Sequence, residues 1–236
     1  MSNEHIIILT GAGVSAPSGL STFRGAGGVW RDHDVMKLAT PEGFAADPDL
    51  VHTFYNDRRA NLARVEPNAA HKAIAKLQVD CPGRVTLITQ NVDDLHERGG
   101  SPDVIHMHGS LLQGLCMACD ARMLWTGDMN RRSACPKCGA VGSMRPDVVW
   151  FGEIPHFMDR IADAMETVTT FISIGTSGEV YPAANFLSEA KSLGAYTLEF
   201  NLEPSARSGE FHESHIGPCE DLLPKFVEDK LYWSLG

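Results

Sequence analysis

Four cysteines carry the sharpest chemical signal in this chain. Cys116 and Cys119 form one C-x2-C pair and Cys135 and Cys138 a second, with fifteen residues between the pairs. Thiolates suit zinc, and this spacing is that of a two-knuckle ribbon closing a tetrahedral site. Four sulfurs leave no open coordination position, so such a zinc holds structure and does no chemistry. Cys81 and Cys219 are left over, and nothing in the sequence pairs them. A second group suits a nucleotide. Gly11-Ala12-Gly13-Val14-Ser15-Ala16 follows an apolar run and fits the G-x-G-x-x-G/A turn between strand and helix. Bare backbone there lets a pyrophosphate approach the helix N-terminus. A third group follows two later apolar runs: Gln90, Asn91 and Asp93 in "ITQNVDDLH", then His106 and His108 in "VIHMHGS". An amide and a carboxylate suit a carboxamide ring such as nicotinamide, although Asn91 and Asp93 would serve equally as helix caps. His108, beside Gly109 at a strand end, is the better placed imidazole to act as general base on a hydroxyl.

A fourth signal is "FYNDRR", residues 54 to 59. At about 100° per residue Val51, Phe54, Tyr55 and Leu62 make an apolar stripe, and Arg58 falls within roughly 40° of Phe54 and Leu62. An arginine on a buried helix face needs an anion, from the protein or from a ligand. Arg59 lies about 100° further round and is expected to face solvent.

The elements that must position these groups read as follows. Short β-branched runs, "HIIILT", "RVTLIT", "DVIHMH", "TFISIG" and "AYTLEF", alternate with helically spaced segments at 49–64, 68–79, 158–168, 182–193 and 220–232. Continuous apolar strands alternating with helices indicate a parallel sheet covered on both faces. The expected fold is α/β: a Rossmann-like doubly wound sheet over 1–110 and 147–236, with a zinc ribbon inserted at 111–146. Part of 22–64 is expected to join the small domain. Segment 22–45 reads as a long irregular glycine-rich loop, more in keeping with a functional lid than a connector. A dehydrogenase would show an acidic strand end about twenty residues after the glycine turn. That place is taken by the loop, and the polar candidates Asn201 and Glu203 come much later, after the last apolar run.

The composition excludes several classes. With 30 acidic against 20 basic residues, a net charge of -10 argues against general binding to nucleic acid or anionic membranes. "HIIIL" at the start reads as a buried strand and not a signal peptide, and no run reaches the ~18 apolar residues of a membrane span. A cytoplasmic protein is expected.

Taken together, "GAGVSAPSG", "TFRG", "GVW", "TQNVD", "HMHG", the four cysteines, "VVWFGE", "GTSGEVYP" and "NLEPS" stand in the order found in sirtuins, over about residues 6 to 227. With "YNDRR" the chain resembles the bacterial members of the desuccinylase-type (class III) branch. The resemblance implies NAD-dependent removal of succinyl, malonyl or acetyl groups from protein lysines. NAD would be consumed as co-substrate, nicotinamide released and the acyl group left on ADP-ribose, beside one structural zinc per chain. It implies that His108, with Asn91 and Asp93, is catalytic. The same match implies that Gly11, Ala12, Gly13 and Ser15 hold phosphates, and that Phe23, Arg24 and Trp30 cover the reacting ribose. Gln90, Asn91, Val92 and Asp93 would form the ribose and nicotinamide pocket. Gly175, Thr176, Ser177, Asn201, Leu202 and Glu203 would hold the phosphate and adenosine half, with Cys219 adding a backbone contact near adenine. Tyr55 and Arg58 would clasp a carboxylate at the far end of the acyl chain. Phe151, Gly152, Glu153, Glu179 and Val180 would pair an acyl-lysine segment of a substrate protein as an added strand. Pro17 and Val92 depart from the commoner family residues without touching this scheme. A protein ADP-ribosyltransferase and an NAD-sensing zinc-ribbon module remain alternatives, separable by their products.

Overall fold

A computed structural model describes residues 4–22 and 34–234. The first strand, β1 (His5–Thr10), is buried along its whole length, as its unbroken apolar sequence demands. It lies at the centre of a sheet with β2 (Arg84–Thr89), β3 (Val104–His106), β7 (Thr170–Ile174), β8 (Tyr196–Asn201) and β9 (Glu213–Ile216). All neighbours are parallel, in the order β3-β2-β1-β7-β8-β9. This is the doubly wound Rossmann order, in which ligands bind where the winding reverses, outside the carboxyl ends of the strands. Here that point lies between β1 and β7.

Side-chain alternation along β1 assigns the two faces. Ile6 and Ile8 pack with Ile74 and Leu77 of α4 (Ala69–Asp80) and with Leu223 and Val227 of α8 (Cys219–Ser234). Ile7 and Leu9 pack with Ile161 and Met165 of α6 (Met158–Met165) and with Phe186 and Leu187 of α7 (Phe186–Ser192). Period-2 strands thus feed two separate helix-covered cores.

A second, antiparallel sheet of β5 (Arg122–Leu124), β4 (Gly109–Cys116) and β6 (Met144–Val148) carries the cysteine knuckles. Its outer limits, Gly109 and Val148, reach two residues beyond 111–146 at each end. Against it lie α1 (Val35–Leu38), α2 (Pro41–Ala46) and α3 (Pro48–Leu62), which share a third core with Leu111, Val148 and Trp150.

Three expectations need correction. Part of 22–45 is helical: the Asp34 side chain caps α1 through Met36 N–H, and Thr40 caps α2 through Gly43 N–H. Directly after the glycine turn stand two 3-10 turns, Ala12–Val14 and Ala16–Ser18, in place of an α-helix, the second carrying Pro17 in its first turn. Arg59 does not face solvent but is 4% exposed. Helix α3 is covered from two directions, and its second covered side meets the zinc module. There Arg59 donates to Leu111 O at 2.8 Å and to Asn56 Oδ1 at 2.9 Å. Asn56 in turn exchanges two hydrogen bonds with the Met129 backbone.

Candidate active site

The site is built on a crossing of two glycine turns at the β1/β7 switch point. Gly11 N donates to Ile174 O at 2.9 Å and Gly13 N to Gly175 O at 2.8 Å. A Cβ on Gly13 would meet Gly175 Cα at 2.7 Å, and one on Gly175, whose φ is +61°, would meet Val14 N at 2.4 Å. The glycines are thus required by contact of chain with chain, as well as by the approach of a ligand. Over this crossing opens a cleft of about 580 Å3, lined among others by Gly11, Ala12, Gly13, Gln90, Asn91, Val92, His108, Gly175, Thr176, Ser177, Asn201 and Glu203. Five strand ends supply these residues.

His108 comes off β3 at the point where the chain turns into β4. Its Nδ1 lies 3.1 Å from Gln90 O, an atom that can only accept. That contact fixes the tautomer with the proton on Nδ1 and leaves Nε2 with its lone pair. Burial lowers the His108 pKa, and the nearby His156 lowers it further, against the opposing Gln90 carbonyl. His108 is therefore neutral at pH 7, the state a base needs. His106 is committed elsewhere, to Asn91 O at 3.1 Å and to Glu97 Oε1 at 2.6 Å. Burial pulls His106 down, but Glu97 outweighs it and leaves the pKa raised.

Beneath the cleft runs a buried polar network. Ser15 Oγ donates to Asp93 Oδ2 at 3.0 Å and accepts from Asn91 Nδ2 at 3.1 Å, while Leu95 N donates to Asp93 Oδ1 at 3.2 Å. Burial raises the Asp93 pKa more than these two donors lower it. Ser15, Asp93 and Arg58 line a neighbouring cavity of about 290 Å3, which shares Ala12, Asn91 and Val92 with the cleft.

Tyr55 lines the cleft and Arg58 the smaller cavity that adjoins it. Tyr55 Oη accepts from Trp150 Nε1 at 3.0 Å, which leaves its own O–H to donate. Burial pushes the Tyr55 pKa up to about 12, so it stays a phenol. Arg58 sits with its guanidinium 5.7 Å from the Phe54 ring, where burial lowers its pKa against the opposing charge of Asp93.

Phe151, Gly152, Glu153, Glu179 and Val180 also line the cleft. The Glu153 carboxylate is already engaged by Arg145, at 2.6 and 2.9 Å, and by Trp150 N at 2.8 Å. The Glu153 N–H donates to Trp150 O at 3.0 Å, so only its backbone carbonyl is left for a partner strand.

Two expected contacts, Leu202 and Cys219, line neither the cleft nor the smaller cavity. Leu202 is 69% exposed, and the Cys219 side chain is packed in the core with its Sγ 3.9 Å from Gly13 O. Phe23, Arg24 and Trp30 lie outside the described residues. Sequence reasoning passed over Trp150, Pro204, Ser205 and Ala206, all of which line the cleft. The motifs "VVWFGE" and "NLEPS" contain the first three of them, so the signal was present.

The cysteines meet as their spacing predicts. All four sulfurs lie within 4.8 Å of one another. Cys116 Sγ is 3.8 Å from Cys138 Sγ, and Cys119 Sγ is 3.9 Å from Cys135 Sγ. A tetrahedron with Zn–S bonds of about 2.3 Å has edges of about 3.8 Å, so the donor set fits one zinc. Asp120 and Gly139, each directly after the second cysteine of a pair, take left-handed backbone, with φ of 56° and 77°. Each knuckle is thereby turned back around the metal position.

Comparison with known proteins agrees with this geometry. The Sir2 family model matches residues 11–182. A Vibrio vulnificus (strain YJ016) protein named NAD-dependent protein deacylase is 52% identical over 230 residues, 97% of this chain and 94% of that one. A protein of the same name from Escherichia coli (strain K12) is 51% identical over 233 residues, 98% and 84% of the two chains. The crystal structure of a Sir2 homologue–NAD complex superimposes with a TM-score of 0.89 at 37% identity, over 98% of this chain and 91% of that one. A Sir2 variant with a deacetylated p53 peptide and 3′-O-acetyl ADP-ribose gives 0.81 at 26% identity, over 96% and 93%. With a family model over most of its length and half-identical relatives over nearly all of it, the chain belongs to the Sir2 family.

Proposed function

We infer that this chain is an NAD-dependent protein-lysine deacylase that accepts succinyl- and malonyl-lysine as well as acetyl-lysine. One observation carries the catalytic reading: His108 is a neutral imidazole in the cleft, with Nδ1–H spent on Gln90 O and Nε2 left basic. When bound, NAD supplies a ribose carbon whose bond to nicotinamide breaks and a ribose that carries the acyl group away. His108 takes the proton of a ribose hydroxyl at Nε2, and Gln90, through its carbonyl, keeps the imidazole in that tautomer. Asn91 and Asp93, held by Ser15 and Leu95 N–H, keep fixed polar groups beside the reacting ribose. Gly11, Ala12, Gly13, Gly175, Thr176 and Ser177 hold the phosphates, and Asn201 and Glu203 the adenosine side.

The acyl preference rests on Tyr55 and Arg58. A terminal carboxylate brought into an apolar tunnel costs several kcal/mol unless a cation meets it. Arg58 supplies the cation, and Tyr55, whose oxygen already accepts from Trp150, donates its own O–H. The substrate segment adds as a strand between 152–153 and 179–180, read through backbone because the Glu153 side chain is occupied. We take the small domain as 109–148 with α1–α3 packed on it, and one structural zinc within it.

The test is product analysis with NAD and an acyl-lysine peptide. Deacylation predicts nicotinamide, lysine peptide and acyl-ADP-ribose in equal amounts. A peptide or protein that retains its acyl group and gains ADP-ribose would overturn the reading in favour of ADP-ribosyl transfer.

A further inference from the structure

Strand β8 alternates, with Leu198 and Phe200 apolar and Thr197, Glu199 and Asn201 polar, and all five are buried, so its polar face includes a carboxyl closed off from water. Glu199 is 1% exposed, between Leu198 and Phe200, which are both core residues. The three groups it meets are all donors: Asn201 Nδ2 at 2.9 Å, Ser208 Oγ, and Ser214 Oγ at 3.2 Å. One carboxyl thus joins β8, the 202–210 loop and β9. Buried carboxylates are retained at a cost, and this one has no part in the chemistry described above.

The contact with Asn201 decides what the cleft presents. The Asn201 amide nitrogen also donates to Thr176 O at 3.0 Å. A backbone carbonyl and a carboxyl oxygen both take donors, so both amide hydrogens are committed inward and the orientation of the amide is forced. What remains for the cleft, which Asn201 lines, is Oδ1, an acceptor. An acceptor there reads a hydroxyl.

We infer that Glu199 is a positioning residue for the dinucleotide: it draws the Asn201 nitrogen inward and so turns the amide oxygen toward a ribose hydroxyl. This rests on the assignment of Asn201 to the adenosine side of NAD. Glu199 touches no ligand itself. Without it the amide has one anchor instead of two and samples both orientations, one of which offers an N–H where the ligand also offers a donor.

The experiment is steady-state deacylation of an acetyl-lysine peptide with NAD varied. Glu199→Met removes the acceptor, and should raise KM for NAD by about tenfold, the scale of one lost charge-assisted hydrogen bond. Both kcat and KM for the peptide should stay within about twofold. Glu199→Gln keeps an oxygen for Asn201 and should stay near wild type. In an Asn201→Ala background the effect of Glu199→Met on KM for NAD should vanish, since it acts through Asn201. A folded Glu199→Met protein with unchanged KM for NAD overturns the inference, as does an undiminished effect in the Asn201→Ala background. Asn201→Ala alone tests the underlying assignment: an unchanged KM for NAD there removes Asn201 from the NAD site. Should Glu199→Met fail to fold, Asn201→Asp carries the test. It sets two carboxylates against each other, and adding Glu199→Gln should recover at least about fivefold in KM for NAD. No recovery would mean that the two residues are not coupled.

Discussion

The two sheets of this molecule are held by different forces. Every residue of β1 is buried, and its two faces feed two helix-covered cores of more than a dozen residues each. The small sheet has a core of four buried residues at its knuckles, Cys116, Met129, Cys135 and Met144, two of which are metal ligands. A sheet packed on both faces needs no staple, whereas a module that small needs one. The difference places the chemistry. The residues assigned to the nucleotide stand at the strand ends of the sheet made rigid by burial. The residues assigned to the acyl chain stand on α3, which leans on the module made rigid by metal.

Loss of zinc should break this comparison most strongly. Structural zinc contributes on the order of 10 kcal/mol in small metal domains. Cys135→Ala, or chelation, should strip amide-exchange protection from β4, β5 and the knuckles while β1, β2 and β7 keep theirs. Equal loss in both sheets would show that they are not separately stabilised.

Acid should act on the large sheet next. Burial holds His71 down to about 4, and His96, whose ring centroid is 4.9 Å away, is lowered in the same direction. The unfolded chain binds protons that the folded chain refuses. Stability should therefore be full above about pH 6.5 and fall toward pH 4, by on the order of 3 kcal/mol for His71. Urea unfolding at several pH values checks this. A His71→Gln protein should show a flatter slope, and the same slope as wild type would reject His71 as its source.

Arg58→Met sharpens the assignment of α3 to the acyl chain. It should cut kcat/KM for succinyl-lysine peptides by about 100-fold and for acetyl-lysine by less than about tenfold. Tyr55→Phe should give a smaller loss with the same selectivity. A parallel fall on both substrates would make Arg58 a structural residue. The smallest effect belongs to the joint between the regions: Arg59→Met, which loses the contacts to Leu111 O and Asn56, should cost about 1–3 kcal/mol by thermal unfolding.

Much of this arrangement was legible in the sequence, for identifiable reasons. Four of the five apolar runs are strands because their centres are buried on both faces, while β3 at the sheet edge buries only Ile105 fully, and the cysteine spacing specified the knuckles because metal geometry leaves little choice. The failures share a cause. A helical wheel assumes one buried face, and α3 has neighbours on two, so Arg59 was expected in water. The 3-10 turns after Gly13 and the short helices at 35–38 and 41–46 depend on capping and tertiary contact, which periodicity does not report. Strand β9, "ESHI", carries too few apolar residues to declare itself and exists by pairing with β8. Leu202 stands within a recognised motif, but a motif gives neighbourhood and not whether a side chain lines a cleft. Glu199 was the reverse case: a carboxyl in an apolar run was visible, and its partners were not.

The central claim is that His108 is the base that carries the acyl group forward once nicotinamide has left. It is tested most directly by comparing two rates in His108→Ala, exchange of labelled nicotinamide into NAD and formation of lysine peptide, with the same acetyl-lysine peptide. The account predicts that exchange persists while product formation falls by at least about 100-fold. Product formation at the wild-type rate would contradict it, and so would loss of both rates together in a folded protein that still binds NAD.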